Sequence, residues 1–153
     1  MKKLTVVLGL GNPLMADEGI GGYLIDCLSK LTKKFPLVDF VDAGTPGLKL
    51  LYLFEGRHKA LIIDCADMGQ EPGTIRKFGP EQVKSVKELT HQSLHEQDLI
   101  TIIEMARKLD QCPPEIVIFG IQPEIVSLKK KLSPVLVDRI DDYISLICRE
   151  LEK

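Results

Sequence analysis

Hydrophobic residues occur along this chain either in short continuous runs or at helical spacing. Continuous apolar runs of four to seven residues are typical of strands that are buried on both faces of a sheet. Such runs predict strands at residues 4–10, 60–63 and 116–119, and residues 38–41, in which Asp39 interrupts the apolar residues, also predict a strand. Alternating apolar and polar residues at 74–78 predict a fifth strand that is more exposed.

Helical stripes of apolar residues separate these strands and predict helices at 19–34, 48–54, 94–109 and 134–151. Ser133 is a good N-cap and Pro134 suits the first turn of the last helix, which we expect to face inward through Val137, Ile140, Ile144 and Ile147.

Alternation of strands and helices predicts an α/β fold. We expect a three-layer sandwich, in which a mostly parallel twisted sheet of about five strands is covered by helices on both faces. No linker or repeat divides the sequence, so a single domain over residues 1–153 is expected.

Charge and hydropathy narrow the classes of partner. The formal net charge is −2, so no basic face is available for nucleic acid. The longest apolar runs are far shorter than the roughly 20 residues that span a bilayer. The first run ends at Gly11-Asn12-Pro13, too early for a signal peptide. We therefore expect a cytoplasmic monomer that binds neither nucleic acid nor membrane.

Cysteine spacing argues against two further classes of site. Cys27, Cys65, Cys112 and Cys148 form no CxxC pair, which excludes a zinc ribbon and a thioredoxin-type site. We expect reduced and mostly buried thiols.

Carboxylates follow the predicted strands at the points where these strands end. In open α/β sheets the functional site lies beyond the carboxyl ends of the strands. The residues there are Asp17, Glu18, Asp42, Asp64 and Asp67. Like charges held close together raise each other's pKa and cost stability unless a cation or a proton intervenes. The pattern therefore predicts a cation site at this edge.

Thr90-His91 precedes the third predicted helix and adds an imidazole to this edge. Two carboxylates and one imidazole form a partial ligand set for a borderline divalent metal, with positions left open for substrate. Because oxygen ligands predominate, the set suits an ion that arrives with its own ligands better than a permanent zinc ion.

Each of these residues also has a structural interpretation. Glu18 could complement a helix N-terminus, Asp64 could form a turn, and His91 could be an exposed residue at a helix start. His95 has metal-like spacing from His91, but we favour a surface position for it. A nucleophilic pair of Cys65 and His91 is a further alternative.

The remaining polar residues near the strand ends receive structural interpretations. Asp42 and Asp67 are interpreted as loop-structuring residues. His58 lies in a predicted solvated turn with Arg57 and Lys59 and is given no role.

Several common catalytic motifs are incomplete or missing in the sequence. Gly9-Leu10-Gly11 begins like a dinucleotide fingerprint, but position 14 is Leu rather than Gly. The sequence contains no P-loop and no GxSxG nucleophile elbow. His95-Glu96 starts an HExxH motif that has no second His.

The order of several short blocks resembles the hydrogenase maturation endopeptidase family. The opening block is Gly9-Leu10-Gly11-Asn12-Pro13 with Asp17-Glu18-Gly19-Ile20-Gly21, and the later blocks follow in the family's order over nearly the whole chain. They are Asp42-Ala43-Gly44-Thr45, Ile63-Asp64-Cys65-Ala66-Asp67-Met68-Gly69, Pro72-Gly73-Thr74-Ile75-Arg76, Thr90-His91-Gln92 and Gly120-Ile121-Gln122-Pro123-Glu124.

This resemblance implies an endopeptidase that trims the C-terminus of a nickel-loaded [NiFe]-hydrogenase large-subunit precursor. It also implies that Glu18, Asp64 and His91 are the catalytic and nickel-contacting residues. The nickel would be carried by the substrate, and no permanent metal is expected. The alternatives are a non-catalytic checkpoint protein that binds the same precursor, a peptidyl-tRNA hydrolase-like enzyme, which shares the Gly-Leu-Gly-Asn-Pro opening, and a nucleotide-binding module.

Overall fold

A five-stranded sheet forms the centre of the molecule. The computed structural model describes residues 2–83 and 94–153, with the backbone alone for 94–98. The strands are β1 (Thr5–Leu10), β2 (Val38–Gly44), β3 (Lys59–Cys65), β4 (Ile75–Phe78) and β5 (Glu115–Ile121). Their order across the sheet is β2-β1-β3-β5-β4, and β4 alone runs antiparallel to its neighbour. The prediction of a mostly parallel sheet of about five strands is confirmed.

Helices cover both faces of this sheet. They are α1 (Ile20–Leu28), α2 (Lys49–Phe54), α3 (Leu94–Lys108), α4 (Pro134–Val137) and α5 (Ile140–Leu151). One core lies between the sheet and α2 with α3, and includes Leu8, Ile62 and Leu99. The second core lies between the sheet and α1 with α4 and α5. The predicted three-layer sandwich is therefore confirmed.

The C-terminal helical region differs from the single helix predicted at 134–151. The backbone of Arg139 leaves helical geometry (φ −106°, ψ 6°) and separates α4 from α5. This break changes the inward face, so that Val137 is 50% exposed while Leu136 and Tyr143 are buried. Ser133 stands at the N-cap position of α4, but its hydroxyl donates to Asp17 instead of capping the helix.

The segment of Arg57 to Lys59, expected to be a solvated turn, is partly buried. Arg57 is 6% exposed, and its guanidinium donates to the carbonyls of Leu53 and Lys3 and pairs with Asp39. The Lys59 side chain pairs with Glu150, while His58 is exposed as expected. The carboxylates of Asp39 and Glu150 explain this burial, because each pairs with a basic residue of the turn although it is distant in sequence.

The four cysteines are free thiols. Each is half-buried, so the expectation of mostly buried thiols was too strong. Within residues 2–83 and 94–153, no helix is long and apolar enough to cross a membrane.

Candidate active site

A short 3₁₀ turn at Ala16–Gly19 carries Asp17 and Glu18 across the carboxyl edge of the sheet. The helix that follows packs unusually close to the strands. A Cβ atom on Gly21 would lie 2.4 Å from the Leu10 carbonyl oxygen and 2.9 Å from that of Ile63. These are backbone atoms that cannot move aside, so only glycine fits here. The contact holds the Glu18 turn against the ends of β1 and β3.

Asp64 is the second acid that this edge presents. It lies near the end of β3, is paired with Gly120 of β5, and is only 2% exposed. Because side chains alternate along a strand, Asp64 shares the face of Ile62, which is the face covered by α2 and α3. The structure therefore brings Glu18 and Asp64 to the same edge, as predicted.

The third predicted residue, His91, lies outside the described residues, as does the side chain of His95. In the described part of the chain, no group of three or more His, Cys, Asp or Glu side chains could hold a metal ion. The three-residue set of Glu18, Asp64 and His91 therefore remains a prediction.

Asp17 is fully buried and does not belong to the rim of carboxylates expected from the sequence. Its Oδ2 accepts hydrogen bonds from the backbone N–H groups of Glu124 (2.8 Å) and Ile125 (2.9 Å) and from the hydroxyl of Ser133 (2.7 Å). Its Oδ1 accepts the Ser133 backbone N–H at 2.7 Å. Burial alone would raise the pKa of Asp17, but these hydrogen bonds outweigh it and lower the pKa.

Asp42 and Asp67 are exposed and organise their own loops. Asp42 accepts the Gly44 N–H at 3.1 Å, and Asp67 accepts the Gly69 N–H at 3.2 Å. Asp67 also accepts the side-chain amide of Gln122 at 3.0 Å. These contacts agree with the loop-structuring interpretation.

Gln122 has a role that the sequence did not reveal. Its buried side-chain oxygen accepts the N–H groups of Met68 (2.6 Å) and Gln70 (3.3 Å), so one amide ties the loop after β3 to the end of β5. Only its position directly after a strand hinted at this contact.

Cys65 packs against the core formed with α1 and α5, on the opposite face of β3 from Asp64. This placement gives no support to a nucleophilic pair of Cys65 with His91.

Comparison with known proteins identifies the family to which this chain belongs. Residues 23–150 match the HycI family model, described as hydrogenase maturation protease. The chain is 32% identical over 151 residues to the hydrogenase expression/formation protein HoxM of Cupriavidus necator, covering 95% of this chain and 75% of HoxM. HupD of Rhodobacter capsulatus is also 32% identical, with 96% of this chain and 70% of HupD covered.

Among solved structures, the hydrogenase maturating endopeptidase HybD from E. coli superimposes with a TM-score of 0.85. It is 25% identical in sequence, over 99% of this chain and 93% of HybD. The overall fold is thus shared with an endopeptidase of hydrogenase maturation. The chain belongs to the hydrogenase maturation protease family and is an endopeptidase. The predicted resemblance is confirmed, in preference to the non-catalytic, peptidyl-tRNA hydrolase-like and nucleotide-binding alternatives.

Proposed function

We propose that this endopeptidase removes the C-terminal extension of a [NiFe]-hydrogenase large-subunit precursor that already carries nickel. In this proposal Glu18, Asp64 and His91 contact the nickel of the substrate, and the protease holds no resident metal. We also propose that the protein acts in the cytoplasm as a monomer and binds neither nucleic acid nor membrane.

The observation that carries the proposal is the position of Asp64. This carboxylate is 2% exposed at the end of β3, next to the turn that bears Glu18. A nearly buried carboxylate offers few oxygen lone pairs to a hydrated ion. It suits a metal that is already held by other ligands and needs only a few more.

The direction of α3 supports the proposal that His91 contacts nickel together with Glu18 and Asp64. Lys108 ends α3 and is followed closely by Glu115, which starts β5 at the amino edge of the sheet. A helix of 15 residues extends over about 22 Å. Leu94 therefore lies toward the carboxyl edge, where Asp64 is found. In the sequence His91 precedes Leu94 by three positions.

The chemistry follows from an edge that is rich in carboxylates. We propose that the nickel of the precursor gives electrophilic assistance, by polarising the scissile carbonyl or the water molecule that attacks it. The oxygen of the water attacks the carbonyl carbon, and the C–N bond then breaks. The proton lost by the water passes through a carboxylate of this edge to the leaving amine.

The test is a mass-spectrometric cleavage assay on purified precursor, prepared with and without nickel. Loss of a C-terminal peptide from the nickel-loaded form alone is the expected result. Cleavage of both forms would remove nickel recognition from the proposal. If neither form were cleaved although the precursor bound, this substrate assignment would be wrong.

Three variants test the proposed catalytic and nickel-contacting residues: Glu18→Gln, Asp64→Asn and His91→Ala. Each is expected to lower kcat about 100-fold or more, since a group that acts on the reacting atoms is removed. Glu124→Gln is the matched control, because Glu124 is an exposed acid at the same edge. Normal cleavage by all three variants would contradict the assignment.

A further inference from the structure

The loop between β5 and α4 forms a surface beside the turn that carries Glu18. Its exposed apolar side chains are those of Ile125, Val126 and Leu128, and Leu14 on the facing segment is 43% exposed. Leu128 is 84% exposed, more than any other large hydrophobic residue in the described part of the chain. We call Leu14, Ile125, Val126, Leu128, Lys130 and Lys131 the loop surface.

This loop is fixed firmly to the Glu18 turn. The Lys129 carbonyl accepts the Ala16 N–H at 2.7 Å, and the Lys129 N–H donates to the Leu14 carbonyl at 2.9 Å. The Asp17 N–H donates to the Ile125 carbonyl at 3.1 Å. The buried Asp17 carboxylate also holds the loop, because it accepts the N–H groups of Glu124 and Ile125. Exposed apolar side chains on a fixed loop form a preorganised surface, for which little ordering entropy is lost on binding.

Positive charge is concentrated at the same place. Lys129, Lys130 and Lys131 are consecutive and exposed, and none forms an ion pair within the described residues. The chain as a whole has 20 Lys and Arg against 22 Asp and Glu, so a cluster of three uncompensated lysines is a local exception. Such a cluster favours an anionic partner.

Two cavities lie between these lysines and the 3₁₀ turn at Ala16–Gly19. One is lined by Pro13, Gly19, Tyr23 and Lys130, and the other by Ile125, Lys129 and Pro134. Ala16, Lys131 and Leu132 line both cavities. Ala16 lies two residues before Glu18, so the loop surface borders the turn that carries Glu18.

We propose that the loop surface binds the C-terminal extension of the substrate during cleavage. This inference rests on the proposed function, because a protease that removes such an extension must hold a chain that ends in a free carboxylate. In this proposal the extension continues from the cut to the loop surface, where its apolar side chains contact Leu128 and Val126 and its terminal carboxylate pairs with Lys130 and Lys131.

The first experiment measures precursor affinity by calorimetry and cleavage kinetics in parallel, with the full-length protease. The double variant Lys130→Ala/Lys131→Ala is expected to bind nickel-loaded precursor about tenfold more weakly and to raise KM similarly, with kcat unchanged. Lys30→Ala/Lys33→Ala is the matched control, since both lysines are exposed, form no ion pair within the described residues and follow α1. Wild-type affinity in the Lys130/Lys131 variant would overturn the inference.

The second experiment tests the carboxylate directly. Synthetic extension peptides with a free C-terminal carboxylate or a C-terminal amide are compared as inhibitors of cleavage. The carboxylate form should inhibit wild type more strongly, and this preference should vanish in the Lys130/Lys131 variant. Equal inhibition of wild type by both forms would remove the terminal carboxylate from the inference.

Other outcomes separate this inference from the proposed function. A wild-type protease that binds precursor but does not cleave it would refute the proposed function, while its affinity would still report on the loop surface. Co-sedimentation with phosphatidylserine vesicles that is lost in the Lys130/Lys131 variant, with unchanged precursor affinity, would overturn the inference in favour of an anionic membrane.

Discussion

Asp17 and Glu150 are both buried carboxylates, yet they lie near opposite edges of the sheet and have different partners. Asp17, near the carboxyl edge, accepts four hydrogen bonds, three from backbone N–H groups and one from a serine hydroxyl. Glu150 packs near the start of β3 and pairs with Lys59 at 2.8 Å, Lys77 at 2.9 Å and Lys153 at 3.4 Å.

The difference matters for the candidate active site. Backbone N–H groups stabilise the negative charge of Asp17 without adding a formal positive charge beside Glu18. A lysine in place of these donors would add a further cation to an edge that Lys129, Lys130 and Lys131 already border. Neutral donors thus stabilise the buried carboxylate near the site, and lysines stabilise the one near the far edge.

The largest expected effect comes from Asp17→Asn. An amide keeps the volume of the side chain but replaces one accepting oxygen with an NH₂ group that faces further donors. We expect a loss of about 3 kcal/mol in the free energy of unfolding, measured by urea denaturation. Asp42→Asn is the control, since this exposed acid accepts one loop N–H, and it should cost about 0.5 kcal/mol. Equal losses in the two variants would contradict the account of Asp17.

Glu150→Gln should have a smaller effect that depends on pH. Burial would raise the pKa of Glu150, but the hydrogen bonds from Lys59 and Lys77 prevail and lower it from 4.5 to about 2. A lowered folded-state pKa stabilises the protein above pH 4.5, and this contribution is lost as the pH falls from 4.5 toward 2. We expect a loss of about 2 kcal/mol at neutral pH, since Lys77 and Lys153 are half exposed and screened.

Denaturation of wild type and Glu150→Gln at pH 7 and pH 3 measures this linkage. The gap between the two proteins should narrow at the lower pH. A gap that stays constant would mean that the lysines do not hold the pKa of Glu150 low.

Ser133→Ala tests one donor to Asp17. The hydroxyl donates at 2.7 Å to a charged oxygen, and three backbone donors remain in the variant. We expect a loss of about 1.5 kcal/mol in thermal or urea unfolding. Ser133→Thr retains the hydroxyl and should recover part of the loss. A fully stable alanine variant would show that the backbone donors suffice.

The smallest effect is expected from Lys77→Ala. Its side chain is 48% exposed, so solvent screens its ion pair with Glu150, and the loss of stability should be smaller than in the three variants above. Added salt at 0.5 M, a concentration that shortens the screening length to about 4 Å, should reduce the difference from wild type. The cost of Asp17→Asn should change little under the same conditions, because its partners are neutral. Equal salt sensitivity would remove the distinction between the two carboxylates.

Sequence patterns were sufficient for the sheet, because its strands are buried on both faces and appear as apolar runs such as 60–63. They could not separate Asp17 from Glu18. These acids are adjacent and chemically alike, and the donors that bury Asp17 lie more than 100 positions away. Arg57 was misjudged for a related reason, since Asp39 is distant in sequence.

The break at Arg139 was missed because the apolar stripe continues across it. Asp64 was found by a strand-end rule that depends on topology alone. The sequence therefore predicts what local patterns and strand direction determine, and it misses contacts made between distant segments.

The contacts of Asp17 also determine when, during synthesis of the chain, the turn that bears Glu18 can fold completely. Its partners follow it by 107 to 116 positions, so a ribosome must synthesise most of the chain before they exist. Until then the turn that bears Glu18 lacks the donors that hold it against the loop surface. The buried Asp17 carboxylate can therefore gain its full set of donors only after Ser133 has been synthesised and has left the ribosome.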